Sequence, residues 1–353
     1  MQSTRVSSEM LLVGSVPAES TDDALRGCAG HFSDLAFAFP DGETGPRSVW
    51  VYYEHMGLLA PHPDVEESFL GQPPAGHPRH LYEMPVLGLR DGVEEIRLDR
   101  WPRIDDAIAS YRRFVALREE GTIPAGIRFQ IGLPFPLSAM NGFQVDFAHD
   151  YPIVERAYED LVARELERLF AEVPAKDLAI QWDVCYEVLD NEGVLWWTDE
   201  AAWERFAGPV RRLAPLVPPD ALMGYYLCYG TYPEWPMFEA RDMGLLVRMA
   251  NDAVANSGRP VDWLHMAGPR SLRSEEDRFF APLQDLEAGS ARVYLGIVLP
   301  IDGIAGLQRR HATASKYLED FGVAMYCGFA RQPGEDPADT WRGHREAILS
   351  VGR

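Results

Sequence analysis

The run YPIVERAYEDLVARELERLFAEVPAKDLAIQWDV, residues 151–184, decides the fold class. Over 151–173 apolar residues recur at three and four spacing, so that Ile153, Ala157, Leu161, Leu166 and Phe170 share one side of a helix. The next apolar run, LAIQWDV, is nearly continuous rather than alternating, the pattern of a strand covered on both faces. A helix feeding a strand buried on both faces is one unit of a parallel α/β fold.

The same unit recurs along the 353-residue chain. Strand-like runs are MLLVGS (10–15), AFAFP (36–40), IRFQIGLP (127–134), LAIQWDV (178–184), LMGYYLCY (222–229), VDWLHM (261–266), ARVYLGIVL (291–299) and GVAMYC (322–327). Helical patterns lie between and after them, at 199–214, 239–256, 303–319 and 337–350. Eight units predict a (β/α)8 TIM barrel, for which about 250 residues suffice. The surplus falls mainly between the second and third strands. The reading is therefore a single barrel domain, 1–353, with an insertion over about 41–125 that caps the mouth and contains a hairpin-like VLGLRDGVEEIRL (86–98).

Fifty-four acidic against 33 basic residues give a formal charge of −21, a surface that repels phosphate backbones and anionic headgroups. Nucleic acid and membrane are thus not the expected partners, and a small-molecule substrate is. Four widely spaced cysteines make no disulfide framework, and the chain has neither a signal-like start nor an apolar run of about 18 residues. Reduced thiols and a cytoplasmic location are the expectation; oligomeric state stays open.

In such a barrel, chemistry gathers at the carboxyl ends of the strands. Ser15 follows the first strand, Asp41 and Glu43 the second, and Asp183 and Cys185 the fourth. Cys228, His265, Asp302 and Cys327 follow on strands five to eight. Cys185 is read as core filler, and His31, His62, His77, His80 and His311 as surface or cap residues. Cys228, His265 and Cys327 would point inward together. Two thiolates and an imidazole are donors that zinc accepts, with a fourth position left open.

In collinear order the chain also carries VGSVP (13–17), PDGETGPR (40–47), IQWD (180–183), LCYG (227–230), VDWLHM (261–266) and CGF (327–329). On these segments it resembles the catalytic barrel of cobalamin-independent methionine synthase, and more closely a divergent branch of that methionine-synthase-like and uroporphyrinogen-decarboxylase-like superfamily. The resemblance implies that Ser15 sits where the amino-acid thiol's carboxylate is held and that Glu43 and Asp183 hold its ammonium. It also implies that Cys228 and Cys327 are zinc ligands. The histidine expected two residues before Cys228 is Tyr226, a rarer zinc ligand, which weakens the implied site.

Two functions from different classes follow. The first is a zinc-dependent methyl or alkyl transferase acting on a thiol. In it Cys228, His265 and Cys327 are ligands, Ser15, Glu43, Asp183 and Trp182 bind substrate, and Tyr226 or Asp302 handles a proton. The second is a metal-free lyase, decarboxylase or hydrolase of an organic acid or aromatic substrate. Here Tyr226 and His265 act as acid and base among Trp182, Tyr229, Trp235 and Trp263.

Overall fold

The structure is a computed structural model that describes residues 8–49, 53–68, 85–230, 238–268, 276–299, 302–331 and 337–352. Eight parallel strands form one sheet in the order β1, β10, β9, β8, β7, β6, β5, β2. They are β1 (Met10–Leu11), β2 (Ala38–Pro40), β5 (Arg128–Pro134), β6 (Leu178–Val184), β7 (Leu222–Leu227), β8 (Trp263–Ala267), β9 (Arg292–Val298) and β10 (Gly322–Met325). Each lies within, or one residue beyond, one of the eight expected runs. Helices alternate with them, and the fold is the expected TIM barrel, nearly closed.

Closure is made by side chains as much as by backbone. The β1 ladder ends at Leu11, and beyond Gly14, with φ of +153°, a bridge between Ser15 and Gly42 joins the two end strands. The gap is spanned from inside. Gln130 donates to the Leu12 carbonyl and Gln181 to the Val13 carbonyl, both at 2.6 Å. These amides explain why two glutamines are buried in a barrel interior, since each satisfies a backbone acceptor that the missing ladder leaves open.

Register fixes which residues face inward. Gln181 pairs with Gly224, Gly224 with Trp263, Asp183 with Tyr226, and Tyr226 with His265, so these lie on the inner face. Large and small residues alternate there. A β-carbon at Gly224 would come within 2.2 Å of the Trp263 ring, which occupies that space instead.

The segment between β2 and β5 departs from the sequence expectation in its pairing. VLGL forms β4 (Val86–Leu89), whose antiparallel partner is β3 (Val65–Ser68) and not the following residues 93–98. The helix Pro102–Glu119 packs against both Thr21–Phe32 and Phe147–Glu172, taking the place of the second crossover helix. The hairpin is fastened to the connection after β5: Leu87 donates to the Gly142 carbonyl at 2.6 Å, and Leu89 to the Asp150 carboxylate at 3.1 Å. The insertion thus attaches at the end of the barrel where strand carboxyl termini emerge. Among the described residues no helix is long and apolar enough to cross a membrane.

Candidate active site

One side of the mouth is acidic. Glu43 follows β2 in a left-handed backbone conformation, φ of 48°, uncommon for a residue with a side chain. Asp41 holds it there by accepting the Glu43 backbone N–H at 3.1 Å, and Arg47 anchors Asp41 at 2.5 Å. The Glu43 carboxylate rests on Gly14, where a β-carbon would be 3.3 Å away. From β6, Asp183 reaches over Gly132 and accepts from Gln181 at 2.8 Å. Ser15 is buried beside Glu43, and among the described residues its hydroxyl finds no hydrogen-bond partner.

Arg103 enters this acidic end unforeseen. Its Nε pairs with Glu54, its Nη1 lies 3.7 Å from Glu43 and donates to the Gly132 carbonyl at 3.2 Å, and Asp183 also acts on it electrostatically. Burial works against the guanidinium's charge, but the carboxylates around it outweigh that and push its pKa up. No local motif marks Arg103, since it arrives from a helix start some sixty residues beyond Glu43.

The other side of the mouth is rich in sulfur. Cys228, at the end of β7, touches Cys327 beyond β10, the Tyr226 phenol, and also Cys185 beyond β6. Cys185, expected as core filler, is buried in the core and also interacts with the Cys228 thiol. Its signal was parity with Asp183, two residues earlier on the inner face. Burial pushes the Cys228 thiol and the Tyr226 phenol well above their ordinary values, so both carry their protons at neutral pH. Cys327 is the half-exposed member.

Two expected site residues lie elsewhere. Trp182 is on the opposite face of β6 from Asp183. It is fully buried in the helical layer, edge-on to Phe135, with no place at the mouth. Asp302 forms a two-pronged ion pair with the fully buried Arg310, at 2.6 and 2.9 Å, and Arg310 also donates to the Ile297 carbonyl. A carboxylate so held is a structural lock and not a free proton carrier. Replacing Asp302 with alanine leaves the Arg310 charge buried without its partner, and should cost about 3–5 kcal/mol of stability and leave ligand affinity unchanged, as read by denaturant titration beside calorimetric binding.

His265 is interior, its ring 4.7 Å from that of Tyr226. Its Nε2 donates to the Met325 carbonyl at 2.8 Å, and among the described residues its Nδ1 has no hydrogen-bond partner. Burial lowers its pKa to about 4, so the ring is neutral. Tyr229 packs on Phe238, and Trp263 fills the barrel over Gly224. Trp235, His77 and His80 lie outside the described residues.

The zinc expectation required Cys228, His265 and Cys327 to meet. The two thiols do; the imidazole spends its Nε2 on a backbone carbonyl. Among the described residues no group of three or more His, Cys, Asp and Glu side chains is placed to hold a metal ion. The expected donor set does not fit a resident zinc.

No protein-family model matches the chain, and no curated protein does. Among solved structures, the B12-independent methionine synthase from Shewanella sp. W3-18-1, in complex with selenomethionine, is similar with a TM-score of 0.60. Sequence identity is 12%, over 97% of this chain and 96% of that one. At that identity the likeness is one of fold, and the fold this chain shares is that of a methionine-synthase barrel.

Proposed function

We propose that the chain is an enzyme of methyl or alkyl transfer to a small thiol that also carries an ammonium group. The observation that carries this reading is the division of one barrel mouth into an acidic end, Glu43 and Asp183, and a sulfur-rich end, Cys228, Cys327 and Tyr226. Likeness in fold to a methionine synthase supports the reaction class.

Glu43 and Asp183 attract the ammonium, and Ser15 offers a hydroxyl unpaired among the described residues to a neighbouring acceptor on the same ligand. That binding orients the ligand's sulfur toward the thiol cluster. Tyr226 and the cysteine S–H groups are neutral donors, suited to hold the ligand's thiolate in place before its sulfur displaces the leaving group from the alkyl carbon, the C–S bond forming as the donor's bond to that carbon breaks and the electron pair departs with the leaving group. A small thiol brings a few per cent of its own thiolate at neutral pH. Asp302, locked to Arg310, takes no part.

The test is turnover of a panel of amino-bearing thiols with methyl donors, beside metal analysis of protein purified without added zinc. Turnover with zinc far below one equivalent is the expected result. A full equivalent of zinc that is lost in a Cys228→Ser, Cys327→Ser double variant would overturn the conclusion about the donor set. Absence of thiol turnover across the panel would overturn the reaction class.

In that event the second reading takes over. On that reading the neutral Tyr226 phenol, tilted at 59° against a neutral His265 whose Nδ1 has no hydrogen-bond partner among the described residues, supplies the acid and the base of a metal-free lyase or decarboxylase.

A further inference from the structure

Two cysteines from strands that are not neighbours meet around one phenol. Cys228 follows β7 and Cys327 follows β10, with β8 and β9 between them in the sheet. From the inner face of β7 the Tyr226 hydroxyl hydrogen-bonds with both sulfurs, and it lies 3.4 Å from the carbonyl of Tyr326, the residue before Cys327. From β8 the His265 imidazole reaches the Met325 carbonyl at 2.8 Å. These contacts draw the end of β10 across the interior, and the Cys228 and Cys327 thiols are hydrogen-bonded to each other.

The two thiols differ in access and in tether. Cys228 is 2% exposed; its sulfur accepts the Gly230 N–H at 3.1 Å, and its own N–H donates to the Val184 carbonyl at 3.0 Å. Cys327 lies two residues past Met325, the last ladder residue of β10, in a bend followed by Gly328. That bend can adjust to a bridge without breaking a ladder hydrogen bond. Cys28, Cys185 and Cys228 are buried, and Cys327 is the one cysteine of the four that is not, so a reagent from solvent meets it first.

We propose that Cys327 and Cys228 form a thiol–disulfide exchange site for small aliphatic disulfides, Cys327 attacking first and Cys228 resolving. The inference stands apart from the reading of alkyl transfer. Cys327 gives its proton to water and its sulfur attacks one sulfur of the reagent. A protein–reagent S–S bond forms as the reagent's own S–S bond breaks, and the electron pair leaves on a thiolate that takes a proton from water. Cys228 then loses its proton and attacks the Cys327 sulfur, so that the Cys228–Cys327 bond forms and the second reagent thiol departs, protonated in the same way. Two cysteine thiols are thereby oxidised by two electrons, and one small disulfide is reduced to two thiols. Burial keeps the resting Cys228 thiol protonated, which leaves the first attack to Cys327. In the second step the Gly230 N–H and the Tyr226 hydroxyl share the charge on the Cys228 sulfur.

The experiment incubates reduced protein with bis(2-hydroxyethyl) disulfide, an uncharged reagent that makes no call on the acidic end. After removal of the reagent, thiols are counted in unfolded protein and linked peptides are identified by mass spectrometry. The four thiols of wild type should fall to two, with Cys228 joined to Cys327 and no reagent retained. Cys228→Ser should stop at a mixed disulfide on Cys327. Cys327→Ser should keep its three thiols over the same interval, and Cys185→Ser should still lose two. Circular dichroism confirms that each variant is folded, and the wild-type result stands without them. A bridge between Cys185 and Cys228, a mixed disulfide that persists in wild type, or four thiols left intact would each overturn the proposal.

Discussion

Asp183→Asn is expected to weaken binding of an amino-bearing thiol by about a hundredfold while changing the affinity of the same molecule without its amino group less than about threefold. The substitution is nearly isosteric, which matters because the carboxylate fills the space over Gly132, where even a β-carbon would come within 2.7 Å of it. The asparagine oxygen can keep the 2.8 Å hydrogen bond from Gln181, so the barrel closure through Gln181 and the Val13 carbonyl should survive. What is lost is a unit charge. A carboxylate within 3–4 Å of an ammonium in a partly dry site is worth about 3 kcal/mol, or roughly two decades in affinity. Paired calorimetric titrations of the two ligands read the effect. Equal losses for both would show that Asp183 shapes the pocket without recognising charge.

Which residues reached the site was legible where the rule was periodic and illegible where it was long-range. The eight strands could be read because runs such as LAIQWDV and ARVYLGIVL are apolar throughout, and burial on both faces is what parallel barrel strands require. Their carboxyl ends then placed Cys228 and Cys327 at one mouth, and the two thiols do meet. Trp182 lies away from the mouth by the period of two within IQWD: once Asp183 faces inward, its neighbour faces the helices. The same parity would have put Cys185 beside Cys228. His265 has the right parity but is captured by the Met325 carbonyl, a contact set by how β10 crosses the barrel. Asp302 met a partner one helix face away, Arg310, eight residues along. Arg103 and Glu54 carry no pattern at all. They join the acidic end through the path of an insertion, which local sequence does not encode.

Glu187→Gln should remove a large part of the protein's pH-dependent stability between about pH 4.5 and 7. Glu187 is fully buried at the start of the short helix Tyr186–Asn191, two residues beyond Cys185. Desolvation raises its pKa from 4.5 to about 7, although the Ser138 hydroxyl and backbone N–H both donate to it. A carboxyl with a raised folded-state pKa binds its proton more tightly in the native than in the unfolded chain. Its contribution to stability is therefore complete below the unfolded value near 4.5, declines as pH rises, and is gone above about 7. The window corresponds to about 3 kcal/mol. Glutamine cannot ionise, so the variant should gain on wild type by that amount as pH rises from 4.5 to 7.5, as read by denaturant unfolding at successive pH values. Parallel curves would mean that Glu187 titrates alike in both states. The position also ties stability to the site, because the same Ser138 hydroxyl accepts the backbone N–H groups of Cys185 and Tyr186 at 3.0 Å. Ionising Glu187 loads a negative charge onto the clamp that sets the end of β6, where Asp183 and Cys185 leave the barrel for its two chemically distinct sides. Ligand affinity should accordingly fall along the same pH limb in wild type and lose that limb in Glu187→Gln.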